Sequence, residues 1–320
     1  MKFPAAALLG LSMNVFDPWI PLDASQIGSR IQKQNRILTF DQQHTRPVKI
    51  DGQTYHVPKA IEVSEHVAGT HEIFVTFPSK DDLATAIKAD PSLLPSVFSL
   101  GGGATSVRAA VEKRHYRDVQ YTYYTYRQSK YQANLTDCGG HLNNHLLLEG
   151  IRQLPTPFNG DDKDVVEKYT NFFMQHGTHV VTAAEYGSIF QLHVWGSDEN
   201  SAVNEAWVED VKADYKGIPS GGGYDHRINE TEQYKEYRQL SNMYASVLGG
   251  DPGQVDTFLR QLDWESFQDW ADTAGENILP STFYLTELWE LMRASDDIEV
   301  VRYALDVYEA FEWLLATSDW

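Results

Sequence analysis

The chain has 320 residues, 42% of them hydrophobic and 12% aromatic, enough to give one large domain or two ordinary ones a core. Lysine and arginine number 26 against 45 acids, a formal net charge of -19. That balance argues against nucleic acid, whose phosphates require clustered cations, and against anionic lipid, which attracts basic residues.

The single Cys138 excludes an intrachain disulfide, so the fold does not rest on an oxidising compartment. At the start, Lys2 followed by an apolar run to Leu11 has the outline of a signal peptide. Pro4 interrupts that run early and no small-x-small cleavage site follows, so the segment is read as part of the fold. No apolar stretch reaches the roughly 18 residues of a membrane-spanning helix.

Residues 17–70 are punctuated by prolines, with short strand-like pieces at 37–40 and 54–57. Asp51-Gly52, between Val48-Lys49-Ile50 and Thr54-Tyr55, predicts a hairpin. Residues 73–77 read as a strand ended by Pro78. Asp81 and Asp82 place acids in the first turn of a helix. Residues 97–105 are small, apolar and broken by Gly101, Gly102 and Gly103; a packed helix gains little from three glycines, and a loop between two helices fits the composition as well.

The Tyr- and Thr-rich run 119–127 predicts a long strand. Cys138, His141 and His145 invite a zinc site, but two glycines separate the thiol from the histidines and no fourth ligand is evident. Histidines capping and packing along a helix that continues through Leu146, Leu147 and Leu148 are the preferred reading, with no metal and no cofactor.

Val165, Val166, Tyr169, Phe172 and Phe173 recur at spacings of three and four, the stripe of a docked helix. His176-Gly177-Thr178 ends it at a residue able to take a positive φ. Residues 180–194 then read as a strand. Farther on, 203–208 suggest a helix, Gly221, Gly222 and Gly223 a flexible tip, and 230–238 a charged return. Alternate positions from 197 to 210 carry Glu199, Glu205 and Glu209 in one register and Asp198 and Asp210 in the other, so neither suits lipid. Residues 244–248 predict a strand, and Val301, Ala304, Leu305, Tyr308, Phe311 and Leu315 an amphipathic terminal helix.

Tyr169, Phe172-Phe173 and Gly177-Thr178-His179 together resemble the signature of the membrane attack complex/perforin (MACPF) superfamily. His176 stands where an aromatic residue is usual, and Gly187-Ser188 where two glycines are usual. Residues 8–16 are similar to the family's first strand, Gly249-Gly250-Asp251-Pro252 to the turn that closes its sheet, and 277–291 to its closing pattern, so the resemblance runs from Leu8 to Leu291.

That resemblance implies an α+β, MACPF/cholesterol-dependent-cytolysin-like fold: a bent four-stranded antiparallel sheet flanked by two convertible helical clusters, near 81–117 and 198–240. Residues 1–292 would form the MACPF domain, and 293–320 a C-terminal helix docked on it, too short for a separate lipid-binding domain. Tyr169, Phe172, Phe173 and His179 would lock the helix to the sheet, and Gly177, Gly187, Gly249 and Gly250 would permit bends. Gly101 to Gly103 and Gly221 to Gly223 would be the tips of membrane hairpins.

By the same resemblance the chain is a soluble monomer, released without an obvious signal peptide or held in the cytoplasm. It would form a ring with itself on a target membrane and perforate it, without relying on anionic headgroups and with a separate lipid-binding protein as a further partner. The alternative is a non-lytic interaction protein of the same fold. No hydrolase, metalloprotease or phosphate-binding motif occurs, and no enzyme activity is expected. Asn134-Leu135-Thr136 and Asn229-Glu230-Thr231 fit glycosylation acceptors.

Overall fold

The computed structural model describes residues 1–16, 35–77, 98–100, 121–196, 241–261 and 264–317. At its centre lies strand β7 (His179–Gly196), flanked on both edges along most of its length. One edge pairs antiparallel with β6 (Tyr121–Leu135), whose outer neighbour is β4 (Ile61–Phe77). Beyond the end of β6, the two-residue strand β1 (Ser12–Met13) continues along the same edge at Val180 and His179.

The other edge of β7 is divided. β9 (Leu279–Glu287) pairs with His179 to Gly187, and β8 (Ser241–Leu248) with Ile189 to Gly196. Between β8 and β9 the chain makes an excursion through helices α3 (Pro252–Gln261) and α4 (Trp264–Thr273). The four long antiparallel strands β4, β6, β7 and β8 are those expected, but longer: the piece at 73–77 begins at Ile61, and the one at 119–127 runs on to Leu135. Propensity marked the aromatic and β-branched parts, and pairing extends the strands through polar residues that propensity leaves open.

Apolar residues on the two faces of β7 feed two cores. Tyr186, Ile189 and Ala184 join the larger one, under helices α1 (His145–Arg152), α2 (Lys163–His176), α5 (Leu288–Arg293) and α6 (Ile298–Thr317) and the hairpin of β2 (Thr45–Ile50) and β3 (Gln53–Pro58). Phe190 and Leu192, farther along the strand, join Tyr124, Phe258, Phe267 and Trp270 beneath α3 and α4. Ile189 and Phe190, successive in the strand, go to different cores by alternation, whereas Tyr186 and Phe190 share a parity and are divided between the cores across the level where the neighbouring strands bulge.

The β2–β3 hairpin turns at Asp51 and Gly52, both with positive φ, 47° and 77°, as its two-residue loop demands. Three expectations are corrected. Residues 8–16 form a tight turn after the 3-10 helix Pro4–Ala7 and only two residues of strand, because Leu8, Leu9 and Val15 turn into the core. Residues 37–40 form no strand; Ile37 and Leu38 are buried and their N–H groups bond to Gly10 O. Residues 98–100, placed by sequence within a helical cluster, form the short strand β5 (Phe98–Leu100), parallel to β9 at Phe283 to Leu285.

Candidate functional site

The junction of α2 with β7 is built from the signature residues. Asp162 caps α2 by accepting hydrogen bonds from the N–H groups of Asp164 (2.9 Å) and Val165 (3.4 Å). The helix ends at Gly177, whose φ is 79° and whose N–H bonds to Phe173 O at 2.8 Å. Tyr169, Phe172 and Phe173 are buried. The Tyr169 hydroxyl donates to Pro155 O at 2.8 Å, and Phe173 meets Phe16 at 5.9 Å and Phe311 at 6.2 Å between ring centroids.

Thr178 fastens the N-terminal segment to this junction. Its hydroxyl accepts from Val15 N–H at 3.0 Å and donates to Met13 O at 3.2 Å. Its own N–H donates to Met13 O (2.9 Å), and its carbonyl accepts from Leu288 N–H (2.9 Å). His179, 1% exposed, turns its Nδ1 to the Thr178 hydroxyl at 2.9 Å and its ring toward Trp289 and Phe311. Burial lowers its pKa to about 3, so the ring is neutral. His176 fills the place of an aromatic residue, 2% exposed against Phe172 with ring centroids 5.0 Å apart, and burial lowers its pKa as well.

A second set of residues lies across the sheet at one level. β4 changes register between Glu65 and Gly69, β6 between Ser129 and Tyr131, and β7 between Glu185 and Tyr186 against β9. These irregularities are in line, since Glu65 faces Tyr131, which faces Tyr186, and Gly69 faces Ser129, which faces Gly187. The exchange of β8 for β9 falls at the same level, between Leu248 opposite Ile189 and Leu279 opposite Gly187. Bulges bend strands and increase twist, so a row of them defines a bend line.

Side chains at that line are close-fitting. A Cβ on Gly187 would strike the backbone of Gln128 and Ser129. Gly249, with φ 78°, sits against Ser188 and Gly187 O. Gly250, with φ 84°, donates its N–H to Glu276 O at 2.9 Å. Trp270 Nε1–H donates to Gly249 O at 3.0 Å, and the Ser188 hydroxyl donates to Ala274 O, so the C-terminal end of α4 is tied to the bend.

Sequence reasoning missed the polar group at this level. Glu185 Oε2 accepts from the Ser129 hydroxyl (3.0 Å) and lies 3.3 Å from Arg127 Nη1, while Glu185 Oε1 accepts from the Tyr284 hydroxyl at 2.6 Å. Arg127 Nη1 also donates to Thr282 Oγ1 at 2.8 Å. Charged residues inside runs that otherwise read as buried strand were the available signal.

Both long connections leave the sheet at one end. There Phe77 faces Tyr121, Tyr121 faces Trp195, and Gly196 faces Ser241. The predicted tips, Gly101 to Gly103 and Gly221 to Gly223, and most of the predicted clusters lie outside the described residues. Among the described residues no group of three His, Cys, Asp or Glu side chains is placed to hold a metal, and no helix is long and apolar enough to cross a membrane.

At the other candidate positions, Asn144, not a histidine, caps α1 by accepting from Leu147 N–H at 3.1 Å. His145 is exposed beside Glu149 (3.6 Å), and His141 packs on Phe40. Cys138 Sγ is 3.2 Å from Leu135 O, its pKa raised to about 11 chiefly by burial. Asn134 lies in β6 with strands on both sides and accepts from Gln132 Nε2 at 2.7 Å, a poor glycosylation acceptor; Asn229 lies outside the described residues.

Comparison with known proteins gives a family and a fold. The MAC/Perforin domain family matches residues 22–313. The crystal structure of GNIP1Aa from Chromobacterium piscinae superposes with a TM-score of 0.62 at 14% identity, covering 97% of this chain and 56% of that one. Astrotactin-2, described as a conserved vertebrate-specific and perforin-like membrane protein, gives 0.42 at 10% identity, covering 100% and 46%; wild-type pneumolysin gives 0.26 at 17%, covering 70% and 41%. GNIP1Aa alone of these three carries the likeness of fold. This chain spans 56% of it. No curated protein sequence matches.

Proposed function

The chain belongs to the MAC/Perforin domain family, and from that premise we propose that it is a pore-forming protein. Copies gather in a ring on a target membrane, the sheet opens along its line of bulges, and segments 78–120 and 197–240 extend as two hairpins into a large β-barrel. Closure of the barrel would pair the backbone groups that an isolated hairpin leaves bare in lipid.

The observation that carries this reading is the common register at one end of the sheet, from Phe77 through Tyr121 and Trp195 to the Gly196–Ser241 pair. Strands extended beyond that end would continue the ladders already formed. Each connecting segment exceeds the roughly 20 residues that two membrane-crossing strands require. On this reading Gly187, Gly249 and Gly250 act at the bend, Tyr169, Phe172, Phe173, Gly177, Thr178 and His179 hold the platform rigid, and Gly101 to Gly103 and Gly221 to Gly223 form the tips. The formal charge of -19 turns attachment away from anionic headgroups, toward neutral lipid or a lipid-binding partner protein.

A second reading, a non-lytic interaction protein of the same fold, draws support from the carboxylates in both registers of 197–210. Dye release from phosphatidylcholine, sphingomyelin and cholesterol liposomes separates the two. Release with ring-shaped particles by electron microscopy supports the pore. Intact vesicles across all compositions, with the protein bound to them, would favour the second reading.

A further inference from the structure

Helix α6 presents a largely exposed stripe, touched at one edge by Trp289 and Arg293. Ile298 (79% exposed), Leu305 (57%) and Tyr308 (36%) share that side of the helix at spacings of three and seven. Around them stand the exposed Glu299, Glu309 and Glu312 with Arg302; Glu299 is paired with Arg152 at 3.0 Å and the Arg293 guanidinium lies 5.7 Å over the Tyr308 ring, so the acidic centre of the stripe is Glu309 and Glu312. Apolar side chains rimmed by charge are the composition of a recognition surface.

Charge is distributed unevenly along the chain. Residues 251–320 hold 16 of the 45 acids, three arginines and no lysine. Residues 1–59 hold seven of the 26 cations against four acids. The structure places two of those cations, Lys2 and Lys49, on one surface. In the β2–β3 hairpin, Val48, Tyr55, Ile50 and Val57 turn toward the core, and Pro47, Lys49, Thr54 and His56 are exposed on the opposite face. The N-terminal segment extends that face, because Lys2 pairs with His56 and the Met1 amino group bonds to Thr54 O at 3.0 Å. Asp51, at the turn, is engaged with Lys130 at 3.6 Å.

We propose that the basic face of the hairpin and N-terminus on one copy, centred on Lys2 and Lys49, docks on the acidic and apolar stripe of α6 on a second copy. Two α6 stripes would repel each other, as would two hairpins, so the contact is head-to-tail and propagates into rings or open chains. An anionic surface is repelled by the same stripe. The proposal deepens the ring reading above and rests on it for its consequence, while the contact itself is testable without a pore.

The experiment is a reciprocal charge swap. One variant carries Lys2→Glu with Lys49→Glu, the other Glu309→Lys with Glu312→Lys; all four positions are exposed, and thermal unfolding checks that each variant folds. Association is followed by sedimentation velocity at low ionic strength and by cross-linking on phosphatidylcholine, sphingomyelin and cholesterol vesicles. Each variant alone is expected to associate at least tenfold more weakly than the parent chain. Their equimolar mixture is expected to recover parental association, because reversed hairpin then meets reversed helix and unaltered hairpin meets unaltered helix.

A mixture that does not recover, variants that associate like the parent, or a parent that stays monomeric in both settings overturns the interface. Dye release measured in parallel keeps the two ideas apart. Release undiminished in both variants overturns the interface and spares the pore, whereas recovered association with no release by the parent supports the interface and removes the pore.

Discussion

Gly249 and Ser188 lie so close that a methyl group on the glycine would run into the serine hydroxyl, which itself donates to Ala274 O. The glycine also holds φ at 78°, where a side chain is strained. Gly249→Ala is therefore expected to destabilise the fold by about 2–4 kcal/mol, combining backbone strain with crowding. Denaturant unfolding of the variant measures it, and a loss below about 0.5 kcal/mol would contradict the fit described.

Thr178→Val removes one hydroxyl that serves Val15, Met13 and His179 while keeping the side chain's shape. A loss of about 1–3 kcal/mol follows, with earlier proteolysis of the N-terminal segment than of the sheet. Equal protease resistance in parent and variant would mean that the hydroxyl does not hold that segment.

Acid should weaken the junction. His179 titrates near 3 in the fold against an ordinary value near 6.5, so the unfolded chain binds the proton first as pH falls. The stability contributed by keeping it neutral is whole above about 6.5 and drains away as pH falls toward 3, at about 1.4 kcal/mol per pH unit. His176 is shifted in the same direction by burial and adds to the slope. Unfolding free energies measured from pH 7 to pH 5 test this, and His179→Gln should flatten the dependence.

Glu185→Ala leaves Arg127 without its carboxylate and takes an acceptor from Ser129 and from Tyr284. The pair is largely but not fully buried, and a loss of about 2–4 kcal/mol is expected. Should Glu185→Ala unfold at the parent's denaturant midpoint, the polar group would be ruled out as a brace across the bend.

Asp306, buried on α6, accepts from the Thr156 hydroxyl (2.7 Å) and the Phe158 N–H (2.8 Å). Asp306→Ala should cost about 2–3 kcal/mol and free the loop between α1 and α2, seen as faster amide exchange at Phe158. Unchanged exchange there would argue that the loop is held by packing alone.

Strand and helix signals in the sequence were strongest where one residue class repeats. The stripe through Val165, Tyr169 and Phe172 gives α2, the Asp51-Gly52 dipeptide gives the hairpin, and the terminal stripe gives α6. The first strand was overread because an apolar run serves a buried turn as well as it serves a strand; Leu8, Leu9 and Val15 point inward from a turn, not from a ladder. Asn144 was passed over as a cap in favour of its histidine neighbours, although its side chain is the better acceptor for a free N–H.

The group around Glu185 left only the weak signal of charges inside strand-like runs, for another reason. Its members come from β6, β7 and β9, and nothing short of the strand registers tells which polar residues of separate strands face one another. The division of one β7 edge between β8 and β9 is likewise a fact of pairing: Gly249-Gly250-Asp251-Pro252 marks a turn in the sequence but not which edge the next strand takes.

Phe311 touches Phe16, Phe173, His179 and Trp289, which come from the N-terminal segment, α2, β7 and α5. During synthesis Phe16 leaves the ribosome long before Phe311, so this knot cannot tighten until α6 has been made. A product truncated ahead of α6 would emerge with its junction unfinished, and the producing cell would meet it as a substrate for quality control.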